Sequence, residues 1–559
     1  MLRYELRKTT DGELEIATEL RGKPLLSSPL LNKGTAFTQD ERQALGLVGK
    51  LPFKVESLEE QLQRAYRQYG SYATPLQRNI FLSGLQDKNE ILFYKLLTEH
   101  LSEMLPMIYT PTVGAAVKAF SHEFRQPRGL YLSYDLEDHI ADILDNRTHP
   151  DVDVIVVTDG ERVLGIGDQG VGAMDIPMAK LVVYTLCGGI NPYRTLPIML
   201  DVGTDNEDLL NNPLYLGWRH KRIRGAAYDC FIEKFMMAVK QKLPRVFLQW
   251  EDFSRDNARR LLERYRTTLC TFNDDMQGTA VVALAAVLSG VSRLKEKLAE
   301  QRIMIFGAGT AGVGIADYLS MALEREGLTK KQACQRIWLV DREGLLIAGM
   351  EDLLDFQKPY AQNTQERAAT LKAAVDLAKP TILIGCSAVS QAFTEEIVRG
   401  MLKYCQQPII LPLSNPNERA EAHPQDLLDW TEARAFIASG SPFENIQWKG
   451  QPYEVAQCNN ALVFPGIGLG VIASQATMVS DGMLWAACQA LSEFSPTEPD
   501  SPLLPSLVLT RVVAKAVALR VAEAARSEGL SQLKQDISLE DAVEASMWQP
   551  RYLAIKAKN

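Results

Sequence analysis

A glycine-rich turn, Gly307-Ala308-Gly309-Thr310-Ala311-Gly312, follows the apolar run Ile303–Phe306 and opens a helical run over 313–323. Strand, glycine turn, helix is a restrictive grammar. A strand that crosses over through a helix pairs with its neighbours in parallel. Three further runs, 337–340, 381–384 and 409–413, have the continuous apolar character of strands buried on both faces of such a sheet. The glycines allow a tight turn that aims a helix N-terminus at a pyrophosphate, making Gly307, Gly309 and Gly312 candidate dinucleotide contacts. Asp341 ends the next strand, where a carboxylate can accept hydrogen bonds from ribose hydroxyls. It lies farther along than the usual ~20 residues, as an extended crossover helix through 324–335 would explain. A second match, Gly165-Ile166-Gly167-Asp168-Gln169-Gly170, follows a hairpin signal, and Asp168 would repel a pyrophosphate. Its glycines are expected to serve close packing or the approach of a substrate.

The second constraint is acidic. Phe272-Asn273-Asp274-Asp275-Met276-Gln277-Gly278 places two adjacent carboxylates after the apolar run 267–272 and before another, 280–288. About twenty residues upstream, Val246-Phe247-Leu248-Gln249-Trp250 leads into Glu251-Asp252 with the same grammar. Two strands thus deliver acidic pairs to their C-terminal ends, where open α/β sheets build their sites. Clustered carboxylates repel one another unless a cation sits among them. An oxygen-only set suits a hard divalent ion such as Mg²⁺ or Mn²⁺.

At 559 residues the chain should divide into two to four domains. With 46% hydrophobic and 23% charged residues it has an ordinary globular composition. A net charge of −9 argues against a nucleic-acid surface and against docking on anionic lipid. Eight scattered cysteines fit reduced core thiols in a cytoplasmic protein better than disulfides or a zinc site. The first 25 residues are too acidic for a secretory or transit signal, and no uninterrupted apolar run looks long enough to span a membrane.

Residues 2–20 read as a hairpin about Asp11-Gly12, and 55–107 as helices with starts at Ser57 and Thr74. The run 152–157, the turn Asp159-Gly160 and 162–166 read as another hairpin. Residues 493–505 read as a loop, and 507–525 as an amphipathic helix. Lys180 lies early in a helix with a proline in its first turn, 176–184. The helix dipole and an apolar setting would favour its neutral form. Alone, Lys180 fits a solvated surface lysine better than a base, and Tyr109 fits packing better than an acid.

Together these segments resemble the malic enzymes, and most of all their bacterial NAD-linked branch. The resemblance runs over nearly the whole chain, from Leu30-Leu31-Asn32-Lys33-Gly34 to Gly470. It rests on Tyr109-Thr110-Pro111-Thr112-Val113-Gly114, Val156-Val157-Thr158-Asp159-Gly160-Glu161-Arg162, Trp250-Glu251-Asp252-Phe253, Asn273-Asp274-Asp275, Leu413-Ser414-Asn415-Pro416 and Cys458-Asn459-Asn460-Ala461. The resemblance implies NAD-linked, metal-dependent conversion of L-malate to pyruvate and CO₂. It assigns Glu251, Asp252 and Asp275 to the metal. Lys180 would be the base, Asp274 its orienting partner, and Tyr109 the acid that protonates the enol. Arg162 would pair with a substrate carboxylate. Asn415 and Asn460 would fix polar groups of substrate and nicotinamide, and Asn459 would join the cofactor set.

Ala173, Asp175 and Ala179 depart from the family's glycines before Lys180. Asp175 either caps that helix or, if it points at Lys180, raises the lysine's pKa. Malolactic enzymes, which turn malate into lactate and CO₂ on bound NAD, share many of these blocks. In their pattern an Asp follows the Tyr, where this chain has Thr110. A catalytically silent NAD-binding sensor is the remaining alternative. The expected architecture is α/β: a Rossmann-type NAD-binding domain, 275–459, inserted in a second α/β domain, 126–274 with 460–530. A mostly helical N-terminal domain, 1–125, and a tail, 531–559, complete it, with the active site in a cleft between domains. The resemblance further implies a homodimer or homotetramer acting on a small molecule, with no nucleic-acid or membrane partner.

Overall fold

The computed structural model describes residues 4–9, 11–498 and 501–558. The chain groups into two units. One takes the residues up to 160, then 169–246 and those from 546 onward; the other takes 161–168 and 247–545.

In the first unit Tyr4–Lys8 runs antiparallel to Leu14–Thr18, as the Asp11-Gly12 signal predicts. Residues 2, 3 and 10 of that stretch lie outside the described ones. The chain's end completes this sheet, with Ala554–Ala557 pairing in parallel with Leu14–Thr18. Tyr552 Oη also donates to Gln61 Oε1 at 2.7 Å. The helices Leu58–Gly70, Pro75–Gln86, Glu90–Glu99 and Leu101–Ile108 follow. Capping boxes at Ser57/Glu60 and Thr74/Gln77 start the first two, each satisfying N–H groups that a helix start leaves open. Beyond them, Leu130–Ser133 and Val154–Thr158 flank Thr195–Asp201, all parallel.

The hairpin expected over 152–166 does not form. Val154–Thr158 is buried throughout and pairs in parallel. Asp159 is no exposed turn residue: it is fully buried and accepts from Tyr228 Oη at 2.7 Å. The chain after it coils tightly instead of returning as a strand, with φ of 77° at Gly165 and 74° at Gly167.

The second unit is built on a seven-stranded sheet in the order Gly344–Leu345, Ile337–Asp341, Ile303–Phe306, Ile382–Gly385, Ile409–Pro412, Phe436–Ser439, Ala456–Gln457. Every pairing is parallel except that of Gly344–Leu345. The chain enters at Ile303–Phe306, moves to one side, then returns to the other. That reversal makes the end of Ile303–Phe306 the topological switch point, where such sheets bind ligands. The second strand pair, Phe247–Trp250 with Thr271–Asn273, is also parallel. Phe464–Ser474 packs on Thr510–Ser527 at close range, for a Cβ at Gly466 or Gly470 would fall within 2.6–2.8 Å of atoms on that helix. The amphipathic helix thus starts three residues later than the sequence suggests, after a short 3₁₀ turn.

Two helical stretches, Gly170–Gly188 and Asp274–Leu294, do have the length and composition to cross a bilayer, contrary to the reading by uninterrupted runs. Of their most apolar windows, 89% and 72% lie buried inside the protein, which is how core helices behave.

Candidate active site

Register builds the carboxylate cluster. Trp250 pairs opposite Asn273, so Glu251-Asp252 and Asp274-Asp275 leave adjacent strands at the same level. Ligand atoms of Glu251, Asp252 and Asp275 lie within 4.8 Å of one another. Oxygens bound at about 2.1–2.5 Å to one ion sit up to about 4–5 Å apart, so this set fits a single divalent cation. Glu251 and Asp252 are each 3% exposed, and so close an array is repulsive without a cation. The surroundings aim the oxygens. Gln249 Nε2 donates to Glu251 Oε2 at 2.6 Å. Asp252 adopts a left-handed φ of 58°, held by its own N–H donating to Asp275 Oδ2 at 2.8 Å and by Arg162 N–H donating to Asp252 O at 3.0 Å. Leu164 N–H donates to Asp252 Oδ1 at 3.3 Å.

Asp274 is fully buried in a wide helical turn, Asp274–Gly278, that runs straight into Thr279–Leu294. Asn460 Nδ2 donates to Asp274 Oδ2 at 3.1 Å, to Asp274 O at 3.2 Å and to Thr279 Oγ1 at 3.1 Å. Asn460, expected on substrate or nicotinamide, thus anchors Asp274 in this structure. Asn459 Oδ1 caps the next turn by accepting from Ala461 N–H at 2.9 Å. A side chain at Gly278 would collide with Asp274 Oδ1.

Each fingerprint glycine has its own reason. Gly307 has φ of 108°, and a Cβ there would meet the Cys386 backbone at 2.5 Å. A Cβ at Gly312 would strike the Gly307 carbonyl. One at Gly309 would meet nothing within 4 Å, leaving open space above the start of Thr310–Arg325. That cradle fits a pyrophosphate. Asp341 closes the neighbouring strand as expected. Gln357, buried, donates from Nε2 to Ala308 O at 2.8 Å and to Asp341 Oδ2 at 3.2 Å. Lys358 turns away to an exposed pair with Asp355 at 2.6 Å.

Arg162 is exposed. Its turn packs on the Asn415 turn: a Cβ at Gly165 would lie 2.6 Å from Pro416 Cδ and 3.1 Å from Asn415 O, the close packing expected of the second glycine run. Asn415 Oδ1 accepts from Ser441 Oγ. In the first unit Lys180 is 4% exposed and its Nζ lies 5.4 Å from the centroid of the Tyr109 ring, itself 8% exposed. The solvated-lysine reading is therefore set aside. Asp175 neither caps the helix nor shares a face with Lys180. It is the first helical residue, makes no side-chain cap, and lies about 140° round from a residue five positions on.

Glu421 escaped the sequence reading. Glu421 is fully buried and ties the ends of two sheet strands together. Its Oε1 accepts from Ser387 N–H and Oγ, both at 2.8 Å, and from Ser414 Oγ at 2.6 Å. A lone Glu gives no pattern, though the serines at two strand ends hinted at a shared acceptor. Glu421 Oε2 also accepts from Ser414 N–H at 3.3 Å, so Glu421→Ala leaves four donors unsatisfied and should cost about 3 kcal/mol, read as a lowered denaturation midpoint; Glu421→Gln should cost less.

A parallel sheet with a glycine cradle at its switch point and an oxygen cluster at adjoining strand ends defines a metal-dependent dinucleotide enzyme of the α/β class. The family model described as "Malic enzyme, NAD binding domain" matches residues 276–526, and "Malic enzyme, N-terminal domain" matches 86–266. The chain is 49% identical over 546 residues to the NAD-dependent malic enzyme of Pseudomonas aeruginosa, covering 96% of this chain and 97% of that protein. It is 49% identical over 545 residues to that of Photorhabdus laumondii, 96% of each. Among solved structures, Entamoeba histolytica malic enzyme shares the fold with a TM-score of 0.56 at 20% identity, over 90% of both chains. The chain belongs to the malic enzyme family.

Proposed function

We propose that this chain oxidatively decarboxylates L-malate to pyruvate and CO₂, using NAD and Mg²⁺ or Mn²⁺. The observation that carries it is the cluster of buried Glu251 and Asp252 with half-buried Asp275, within 4.8 Å, in a chain with a dinucleotide cradle. Those three residues would hold the ion, and the turn Gly307–Gly312 with Asp341 would hold NAD. When bound, the ion supplies Lewis acidity toward the substrate's hydroxyl and carbonyl oxygens, and NAD supplies the hydride acceptor. The protein's own residues manage the protons. Lys180, buried, would accept the C2 hydroxyl proton as the base. Tyr109 donates a proton to C3 of the enol. Arg162 offers a guanidinium fork to a substrate carboxylate. Asn415 and Asn460 present amides to substrate and nicotinamide, Asn459 joins the cofactor set, and Asp274 completes the catalytic group. Turnover of malate with NAD should require added Mn²⁺ and stop with EDTA; activity that persists in EDTA contradicts the proposal. No observation favours the malolactic reading. The three-part domain division, a homodimer or homotetramer, and a cytoplasmic location belong to the same proposal.

Gln357 and Asp341 set an expectation for the cofactor. A 2′-phosphate at ~4 Å from the Asp341 carboxylate would cost about 4 kcal/mol at an effective dielectric of ~20, before solvent screening. NAD should therefore be clearly preferred, with measurable NADP activity. Lys358→Ala should leave the NAD reaction nearly unchanged, because Lys358 faces Asp355. Comparing kcat/KM for the two cofactors checks both. A preference for NADP would mean that Lys358, or Arg342 directly after Asp341 in the chain, governs the pocket.

A further inference from the structure

On the first unit, the helices Pro75–Gln86, Thr112–Glu123 and Asp175–Gly188 line a pocket of about 140 Å³ that opens to solvent. Ile80, Phe120, Phe124, Met178 and Val182 give it apolar walls. Asp175 borders it and keeps some accessible surface for that reason, although protein surrounds it almost wholly. Among the described residues, its carboxylate has no hydrogen-bond partner.

The charges around Asp175 do not balance. The cation that faces it is Arg128, which is committed to Asp87, Nε to Oδ1, at 2.9 Å. Glu90 faces the same guanidinium. Three carboxylates therefore share one cation. Glu123 and Arg125 pair with each other at the rim, and Tyr131 on the adjoining strand adds no positive charge. Burial pushes the Asp175 carboxyl up to about 7, and burial pushes that of Glu90 up as well. An unpaired buried carboxylate is costly, and either a proton or a cation relieves it.

We propose that this cavity is a second ligand site that takes a small organic cation, its ammonium group against Asp175 and a short alkyl body along the apolar walls. The ammonium replaces the proton that Asp175 would otherwise keep. Binding therefore needs the ionised carboxyl. It is strong above the free group's pKa and is lost as pH falls through it, so affinity should rise about tenfold from pH 6 to pH 8. Because Lys180 lies about 140° round the helix from Asp175, the occupant does not touch the base.

The test uses the protein loaded with Mn²⁺ and NAD, so that other anionic sites are filled, and n-butylammonium as the probe. Saturation-transfer NMR and calorimetric titration compare it with n-butanol and butyrate. Butylammonium should bind best, with affinity rising about tenfold between pH 6 and pH 8. Asp175→Asn should lose that pH dependence and weaken binding at least about tenfold. Met178→Trp, which fills the cavity without touching the charges, should abolish binding and serves as the second variant should Asp175→Asn fail to fold. Absence of butylammonium binding, stronger binding of butyrate, or unchanged binding in either folded variant would overturn the proposal.

Discussion

Asp275→Ala should abolish malate turnover, with kcat/KM falling by at least about 10³-fold, the several kcal/mol that a Lewis acid contributes. NAD binding should stay largely intact, because the glycine cradle and Asp341 do not draw on Asp275. The reason lies in two roles of one side chain. Asp275 supplies an oxygen to the cluster, and its Oδ2 accepts the Asp252 N–H at 2.8 Å. That bond helps to hold Asp252 at a left-handed φ of 58°. Asp275→Asn, which keeps an acceptor but loses the charge, should preserve the fold and still fail at limiting Mn²⁺. Mn²⁺ affinity and NAD fluorescence titration separate the two effects. Near-normal activity of Asp275→Ala at limiting Mn²⁺ would show that the metal assignment is wrong.

The second large effect divides the proton chemistry. Lys180→Ala should lower malate oxidation by about 10²–10⁴-fold, the usual contribution of a positioned base. Tyr109→Phe should spare reduction of a supplied α-keto acid and impair enol protonation and decarboxylation by a similar factor. Phenylalanine keeps the ring that lies 5.4 Å from Lys180 Nζ, so the change removes the phenol without disturbing the lysine's apolar neighbour. Measuring each partial reaction in both variants checks this. Equal losses in both steps, for both variants, would sink the division of labour.

The sheet and the carboxylate cluster were legible in the sequence because both are local. Ile303–Phe306 and its glycine turn are contiguous, and Glu251-Asp252 and Asp274-Asp275 each directly follow an apolar run. What failed depended on long-range packing. The Asp159-Gly160 pair carries a hairpin's composition, yet Tyr228, 69 residues away, buries the aspartate and the strand before it pairs in parallel. Asp175 sits where a cap would, but a helical turn already precedes it, so no N-cap position is vacant. Gln357 and Lys358 are adjacent, and no pattern tells which faces Asp341; the fold turns the glutamine inward. Asn460 reaches Asp274 across 186 residues, a contact that no spacing rule anticipates.

One assay tests the central claim most directly. The protein is given L-malate, NAD and Mn²⁺, while NADH, pyruvate and lactate are followed together. Oxidative decarboxylation predicts pyruvate and NADH in equal amounts, with no lactate. Lactate formed without accumulation of NADH would contradict it, and would place this chain with the malolactic enzymes.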